Sequence, residues 1–121
     1  MCKKIMIVDD SASMRMMVTF TLREGGYEVV EAVDGINAME KLWREPIDMM
    51  ITDVNMPNID GIELVRKVRE ISPCRSIPII LLTTEFQETK KKEGKAAGAT
   101  GWIVKPFRAE QLLSVVRKVI G

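Results

Sequence analysis

The hydrophobic positions of this chain alternate between short continuous runs and longer stretches in which apolar residues recur every three or four positions. Short runs rich in large apolar residues lie at residues 5–8, 27–31, 47–52, 79–82 and 102–104. Apolar runs of this length predict strands, and the nearly all-apolar run 79–82 predicts a strand that is covered on both faces. The stretches that follow each run have the spacing of amphipathic helices.

Five helices are therefore expected, and they differ in how clear their apolar stripe is. Gly25 and Gly26 predict the end of the first helix. The fourth, at residues 86–97, contains few large apolar side chains and includes Gly94, so we expect it to pack weakly and to be locally mobile. The predicted buried faces consist of Met14, Met17, Val18 and Leu22 in the first helix; Ile36, Met39 and Trp43 in the second; Leu64, Val65, Val68 and Ile71 in the third; and Ala109, Leu112, Leu113, Val116, Val119 and Ile120 in the fifth.

The regular alternation of strand and helix predicts an α/β fold with a doubly wound, five-stranded parallel sheet and helices on both faces. The 121 residues suit one domain, which we expect to span residues 1–121. In such sheets, binding sites form at the carboxyl ends of the strands, near a switch in strand order. Residues directly after the predicted strands are therefore the first candidates for chemistry.

Composition removes several classes of function. Lys and Arg number 18 against 17 Asp and Glu, which lacks the basic excess expected of a nucleic-acid binder. Cys2 and Cys74 form no CxxC pair and are expected to be reduced thiols. The sequence offers no secretion signal or membrane span, so we expect a cytoplasmic protein with no membrane partner. The chain has no histidine, which excludes Ser-His-Asp and Cys-His catalysis and imidazole zinc sites.

Polar residues cluster at the predicted carboxyl ends of the strands. Asp9 and Asp10 follow the first strand, Asp53 the third, Thr83 the fourth and Lys105 the fifth. Three neighbouring carboxylates repel one another unless a cation is present, and Mg²⁺ prefers oxygen ligands. A carboxylate, an ammonium and a hydroxyl beside Mg²⁺ suit phosphoryl transfer, with Asp53 as the nucleophile.

Each of these residues also has an ordinary structural explanation. Asp10 or Ser11 could cap the first helix, Thr83 could end a strand, and Lys105 could be a solvated surface lysine. Helix capping does not explain why Asp53 and Lys105 should share the same sheet edge. The combination therefore favours a functional site.

Four segments together resemble the receiver domains of bacterial response regulators, particularly the stand-alone chemotaxis proteins of CheY type. The similarity runs from Lys4 to Gly121. Each segment is weak evidence alone, but the four in this order and spacing are highly specific. They are residues 8–10 (VDD), residues 52–57 (TDVNMP) with Asp60-Gly61 behind them, residues 82–85 (LTTE) and residues 101–107 (GWIVKPF).

The resemblance implies a strand order of 2-1-3-4-5 and assigns roles to particular residues. Asp53 would accept a phosphoryl group, and Lys105 would pair first with Asp53 and later with that group. Mg²⁺, or Mn²⁺ in its place, would be bound by Asp10, Asp53 and the backbone carbonyl of Asn55, with Asp9 acting mostly through water. It further implies a cis bond between Lys105 and Pro106, and positions that tune phosphate lifetime at Asn55 and Glu85.

The resemblance also implies a conformational switch and two partners. Phosphate would draw the Thr83 hydroxyl inward, and Trp102 would turn into the space that Thr83 leaves. The surface formed by the fourth helix, fifth strand and fifth helix would then bind a target such as the flagellar motor switch. A histidine kinase would be the phosphodonor, and the protein is expected to be a monomer whose only chemistry is its own phosphorylation and dephosphorylation.

Two exposed surfaces are candidate partner contacts. On the first helix, Met16 and Phe20 fall opposite the predicted buried face, and methionine adapts well to binding surfaces. They could equally be exposed without a partner. The second candidate surface includes Trp102 and the lysines of the fourth helix, which are Lys90, Lys91, Lys92 and Lys95.

Three other functions compete with a phosphorylation-dependent messenger. A phosphorelay intermediate, which passes phosphate on to another histidine protein, is favoured slightly by the patch on the first helix. A Mg²⁺-dependent phosphohydrolase usually carries a second Asp two residues after its nucleophile, where this chain has Asn55. A flavodoxin-like cofactor binder would need a glycine in the loop 11–13, which is Ser-Ala-Ser.

Overall fold

The computed structural model describes residues 2–71, 75–84 and 88–121. Five strands alternate with five helices along the described chain. In chain order they are β1 (Lys4–Val8), α1 (Ala12–Glu24), β2 (Glu28–Ala32), α2 (Gly35–Leu42), β3 (Met49–Asp53), α3 (Gly61–Glu70), β4 (Ile79–Thr84), α4 (Glu88–Ala97), β5 (Gly101–Lys105) and α5 (Ala109–Ile120). The predicted number and order of elements are thus confirmed.

The strands form one parallel sheet with the order β2-β1-β3-β4-β5. The order reverses between β1 and β3, because the chain first builds outward through β2 and then returns to the other side of β1. This switch places the carboxyl ends of β1 and β3 side by side. The strand order that the resemblance implies is therefore confirmed, and the acidic strand ends lie at the switch point.

Alternate residues of each strand point to opposite faces and form two separate cores. Met6, Met50 and Leu81 point toward α2, α3 and α4, where Leu64 and Val68 are among the packing partners. On the other face, the strands meet α1 and α5 through a cluster that includes Ile5, Ile7, Val18, Leu22, Ile51, Leu82, Ile103, Leu112 and Val116. Strands covered on both faces explain the nearly continuous apolar runs in the sequence.

The predicted buried face of α2 is wrong at Ile36 and Trp43, whereas Met39 is partly buried and packs against the core. Ala38 and Leu42 are buried together with Gly35, whereas Ile36 is exposed and Trp43, just past the helix end, is 71% exposed. A Cβ at Gly35 would lie 2.4 Å from Cγ1 of Ile59, so small residues face inward here because the helix packs closely. The sequence prediction instead places large apolar residues on the inward face of this helix.

Smaller corrections apply to α1, α4 and α5. Met17 is exposed, because it lies about 100° around the helix from Val18, at the edge of a narrow buried stripe. Ala109 is exposed at the start of α5. The fourth helix is described from Glu88, so Phe86 lies outside the described residues.

The close approach of α4 to the sheet depends on its glycine. Gly94 is the buried residue of this helix, and a Cβ there would lie 2.4 Å from Cδ1 of Leu81. The helix otherwise presents mainly charged and small residues. Few apolar contacts therefore hold α4 against β4, in agreement with the weak stripe in its sequence.

No helix in the described part of the chain combines the length and the apolar character needed to cross a bilayer. Cys2 is an unpaired thiol at the surface, and Cys74 lies outside the described residues.

The corrected face of α2 can be tested by two neighbouring substitutions. Leu42→Ala should lower the free energy of unfolding by about 2–4 kcal/mol, because it empties part of a packed core. Trp43→Ala should change that free energy by less than about 0.5–1 kcal/mol, because the ring is mostly in solvent. Urea unfolding followed by circular dichroism measures both, and a larger loss for Trp43→Ala would restore the original assignment.

Candidate functional site at the carboxyl edge of the sheet

The carboxyl edge of the sheet gathers the predicted site residues. Asp53 and Lys105 are the last residues of β3 and β5, Thr83 is the penultimate residue of β4, and Asp9 and Asp10 directly follow β1. Asp9, Asp10 and Asp53 each contribute one carboxylate oxygen to a group whose atoms all lie within 4.8 Å of one another. The sheet order therefore brings together residues that are far apart in the sequence.

The Asp53 carboxylate is held by two donors on the same oxygen. Lys105 Nζ donates to Oδ1 at 2.8 Å, and the backbone N–H of Val54 donates to it at 3.0 Å. Asp53 is 8% exposed, and the lysine side chain is also largely covered, so solvent screens this ion pair only partly. Because both donors contact Oδ1, the second carboxylate oxygen, Oδ2, is available to another partner.

Asp9 is the most deeply buried acid of the group, at 1% exposed. Its Oδ1 accepts a hydrogen bond of 2.9 Å from the backbone N–H of Ser11. Burial raises the pKa of Asp9 above its usual value of 3.8, and the neighbouring charges of Asp53 and Asp10 raise it further, against the Ser11 hydrogen bond and Lys105. Ionisation of Asp9 is thus less favourable in the folded protein than for an aspartate in water.

Two buried oxygen atoms at this edge have no hydrogen-bond partner in the described part of the chain. They are Oδ2 of Asp9 and Oγ1 of Thr83, the latter in a residue that is 1% exposed. Unpaired buried polar atoms are costly and uncommon in folded proteins. Both atoms are therefore candidates for contact with a ligand.

The donor set fits a hard divalent cation such as Mg²⁺. It offers only oxygen atoms, it places three carboxylates together, and one buried carboxylate oxygen is unpartnered. A cation here would also relieve the repulsion that raises the pKa of Asp9. The exposed side of the cluster, at Asp10 and Asn55, leaves room for the water ligands that Mg²⁺ keeps.

Arg15 belongs to the surroundings of the acidic cluster, although sequence reasoning did not single it out. Its Nη1 donates to the backbone carbonyl of Asp9 at 2.8 Å, and its Nε lies 3.3 Å from Oε1 of Glu31. The guanidinium thereby ties the end of β1 to β2. The position of Arg15 one turn into α1, soon after the acidic pair, gives no sequence signal of this contact with a backbone carbonyl.

The two residues predicted to form a switch, Thr83 and Trp102, differ in exposure, since Thr83 is buried and Trp102 lies near the surface. Trp102 on β5 is 40% exposed, and Lys91 Nζ of α4 lies 5.8 Å from the centroid of its indole ring. The same ammonium lies 3.3 Å from Oε1 of Glu88. The Lys105–Pro106 bond is cis, as the resemblance implies, and Glu85 lies outside the described residues.

Met16 and Phe20 lie outside the acidic cluster, on the outer face of α1. They are 68% and 67% exposed, and they line a surface cavity of about 330 Å³ with Thr19, Arg23, Glu24 and Glu31. Lys92 and Lys95 are exposed on α4, while Lys90 and Lys91 are half-buried. The predicted surfaces thus exist, on two different sides of the sheet edge.

A family model described as the response regulator receiver domain matches residues 5–117 of this chain. The chain belongs to this family.

Full-length similarity to individual receiver proteins agrees with this membership. The chemotaxis protein CheY1 of Helicobacter pylori is 42% identical over 120 residues, which cover 98% of this chain and 97% of the relative. The structure of the chemotaxis protein CheY4 of Vibrio cholerae superimposes with a TM-score of 0.95 at 48% identity, covering 99% of this chain and 100% of the other. This receiver domain is therefore of CheY type, a signalling protein and not a conventional enzyme.

A third structure bears on the metal. The receiver domain of the sensor histidine kinase PA1611 from Pseudomonas aeruginosa, described with a magnesium ion coordinated in its active-site cleft, has a TM-score of 0.91 at 28% identity. The alignment covers 100% of this chain and 99% of that one. A receiver domain with the same fold thus holds Mg²⁺ in its cleft, and the acidic cluster of this chain is compatible with the same ion.

Neutralising Asp9 should stabilise the metal-free receiver domain. Because the pKa of Asp9 is higher in the folded state than in the unfolded state, ionisation of Asp9 costs stability as the pH rises through the folded pKa. Asp9→Asn should therefore be more stable than the wild type at neutral pH, by on the order of 1 kcal/mol. The two proteins should converge well below the unfolded-state pKa of about 3.9, where the carboxyl is protonated in both states.

Urea unfolding without metal, at neutral and acidic pH, measures this difference. Added Mg²⁺ should stabilise the wild type more than the variant, because the variant lacks one of the charges that attract the cation. A variant that is less stable than the wild type at neutral pH would show that ionised Asp9 does not lower the free energy of unfolding.

Proposed function

We propose that this receiver domain is a stand-alone signalling module that accepts a phosphoryl group on Asp53 from a histidine kinase. The observation that carries the proposal is the geometry of the Asp53 carboxylate, whose Oδ1 is held by Lys105 and by the Val54 N–H. Its Oδ2 is then the oxygen available for attack. In the transfer, the N–P bond of a phosphohistidine breaks, an O–P bond forms on Asp53, and the imidazole leaves.

Positioning and charge neutralisation are the main demands of this reaction, since phosphoryl transfer needs little covalent chemistry from the protein. Lys105 Nζ already lies 2.8 Å from Asp53 and would follow the negative charge onto the phosphoryl oxygens. The unpaired hydroxyl of Thr83 would donate to one of those oxygens. Lys105 is in place before the phosphodonor arrives, so this part of the site requires little reorganisation.

We further propose that Asp10, Asp53 and the backbone carbonyl of Asn55 hold Mg²⁺, with Asp9 acting mostly through water. When bound, Mg²⁺ supplies positive charge that offsets the carboxylates and the incoming phosphoryl oxygens. Mn²⁺ should substitute, because it also prefers oxygen ligands. Asn55, at the position where phosphohydrolases carry a second Asp, makes repeated hydrolysis of organic phosphates a poor fit to this site.

The output of the module would be a change in the surface formed by α4, β5 and α5. In the metal-free state Trp102 faces outward beneath the ammonium of Lys91. Movement of the Thr83 hydroxyl toward a phosphoryl group would open space for the indole, and α4 has few apolar contacts to resist the change. The changed surface would bind a protein target; because the CheY relatives are named chemotaxis proteins, we propose a target in chemotaxis such as the flagellar motor switch.

The exposed patch of Met16 and Phe20 supports a second candidate function. An apolar patch on the outer face of α1, the helix that follows Asp9 and Asp10, suits a docking site for a histidine-bearing protein, and such a protein could also remove the phosphate again. The chain would then be a phosphorelay intermediate. Transfer of the phosphate from Asp53 to a histidine protein, faster than its loss to water, would distinguish that role from the first. The predicted monomeric state and cytoplasmic location belong to both proposals, since either role requires diffusion between partners.

The phosphoacceptor proposal predicts a single modified residue. Incubation with Mg²⁺ and a small phosphodonor should place one phosphoryl group on Asp53, as mapped by mass spectrometry after trapping of the acyl phosphate. The Asp53→Asn variant should carry no phosphoryl group. The control variant Asp48→Asn, changed at the opposite edge of the sheet, should be phosphorylated on Asp53 like the wild type. Chelation of Mg²⁺ should slow the reaction by at least about tenfold, because the carboxylates then repel the donor. Modification at another residue, or multiple turnover of the donor, would contradict the proposal.

The switch proposal predicts a fluorescence signal that depends on Thr83. In a Trp43→Phe background, where Trp102 is the remaining tryptophan, phosphorylation should shift the emission toward shorter wavelength as the ring becomes buried. Thr83→Ala should still be phosphorylated but should lose most of this shift. Lys91→Met should show part of the shift before phosphorylation, because the cation over the outward ring is gone. An unchanged response in Thr83→Ala would separate the threonine from the movement of Trp102.

A further inference from the structure

The first turn of α3 packs against the backbone of the phosphoacceptor. Gly61, the first residue of this helix, is buried, and its N–H donates to the carbonyl of Val54 at 2.8 Å. Asp60 caps the helix through a hydrogen bond of 2.8 Å from the N–H of Glu63 to its Oδ1. The loop 54–60 is thereby folded back so that the helix begins beside the residue that ends β3.

A side chain at Gly61 would collide with the peptide group of Asp53. A Cβ built there would lie 2.1 Å from the Asp53 carbonyl oxygen, and 3.0 Å from both the Asp53 carbonyl carbon and the Val54 Cα. Gly61 is not among the residues with positive φ, so its conformation does not require glycine. Glycine in a helix costs about 0.5–1 kcal/mol relative to alanine, and here the close approach to Asp53 explains its presence.

Glycines elsewhere in the described chain do not have this relation to the site. Added Cβ atoms at Gly25 and Gly94 would meet the ends of the side chains of Leu113 and Leu81, at 2.5 and 2.4 Å. Side-chain ends can turn away, whereas the Asp53 carbonyl is also fixed from its own strand. The Thr52 hydroxyl, which is fully buried, donates to that carbonyl at 3.0 Å.

We infer that Gly61 and Thr52 are positioning residues, which hold the Asp53 carbonyl between them and so set the orientation of the Asp53 carboxylate. The inference rests on the proposed function of Asp53. The peptide that follows this carbonyl supplies the Val54 N–H that donates to Oδ1, and it leads directly to Asn55, a proposed metal ligand. A shift of this peptide would turn the carboxylate away from Lys105 and move the Asn55 carbonyl together with it.

The test compares metal binding and phosphorylation with stability in matched variants. Gly61→Ala should bind Mg²⁺ about tenfold or more weakly and should be phosphorylated by a small phosphodonor slower by a similar factor, because displacement of reacting groups by about 1 Å has effects of this size. Mg²⁺ affinity is read from the increase in Tm with Mg²⁺ concentration, which needs no activity. Circular dichroism establishes that each variant is folded.

Two controls separate positioning from stability. Asp60→Ala removes the cap of the same helix without adding an atom near Asp53, and Gly25→Ala adds a Cβ whose closest contact is the end of the Leu113 side chain, far from Asp53 in the sequence. Both should lose stability yet keep Mg²⁺ affinity and phosphorylation rate within about twofold of the wild type, because neither moves the reacting groups. Thr52→Val, which removes the hydroxyl on the same carbonyl without enlarging the side chain, should weaken both properties and tests the inference even if Gly61→Ala does not fold.

The outcomes distinguish the inference from the proposed function. Wild-type Mg²⁺ affinity and phosphorylation in Thr52→Val, or in folded Gly61→Ala, would overturn the inference. Losses in Asp60→Ala as large as those in Gly61→Ala would also overturn it, because general destabilisation would then explain both. A wild-type protein that binds Mg²⁺ but is not phosphorylated on Asp53 would refute the proposed function, while the Mg²⁺ affinities of the variants would still decide the role of Gly61 and Thr52.

Discussion

Repulsion among three carboxylates at one sheet edge is the constraint on which the rest of the site depends. Asp9, Asp10 and Asp53 are brought together because β1 and β3 are neighbours at the switch in strand order. Among the described residues, Lys105 is the one whose ammonium contacts these carboxylates directly, through Oδ1 of Asp53. The fold therefore accepts a cost at this edge, visible in the pKa of Asp9, which burial raises and the charges of Asp53 and Asp10 raise further. The folded protein tolerates this cost because two well-packed cores, one on each face of the sheet, stabilise it.

Lys105 can contact the Asp53 carboxylate only because the lysine side chain is long. It lies on β5, and β4 separates it from the Asp53 strand. Adjacent strands are about 4.8 Å apart, so the lysine must span roughly two strand spacings. The register places Asp53 beside Leu82 and Lys105 beside Thr84, so the ammonium approaches from beyond the end of β3. A shorter cation at this position could not reach Asp53.

The sequence predicted the fold and the members of the acidic cluster, because both follow from local patterns. Apolar runs predicted parallel strands, and residues at the ends of such strands must share one edge. The buried face of α2 was predicted wrongly, because large apolar residues were taken as inward whereas close packing selected Gly35 and Ala38. Helix periodicity does not show how near a helix lies to its sheet.

The roles of Arg15 and Gly61 could not be read from the sequence, because both act on backbone carbonyls. Arg15 donates to the carbonyl of Asp9, and Gly61 lies against that of Asp53. Backbone atoms carry no residue-specific signal, so such contacts appear only when the path of the chain is known. Sequence patterns thus predicted which side chains gather at the sheet edge and left open which residues contact the backbone there.

The charge of a phosphoryl group explains why a site of this kind can store a signal. Phosphorylation replaces the single negative charge of Asp53 by about two, so the cluster becomes more negative by about one charge. Lys105 and the Thr83 hydroxyl can offset only part of that increase. The phosphorylated state therefore depends on a bound cation more strongly than the unphosphorylated state does. In the proposed switch the same excess charge would attract the Thr83 hydroxyl, and α4, which presents few apolar side chains to the sheet, would be easily displaced. A sheet edge whose carboxylates are only partly neutralised before phosphorylation is thus suited to respond when a phosphoryl group adds about one negative charge.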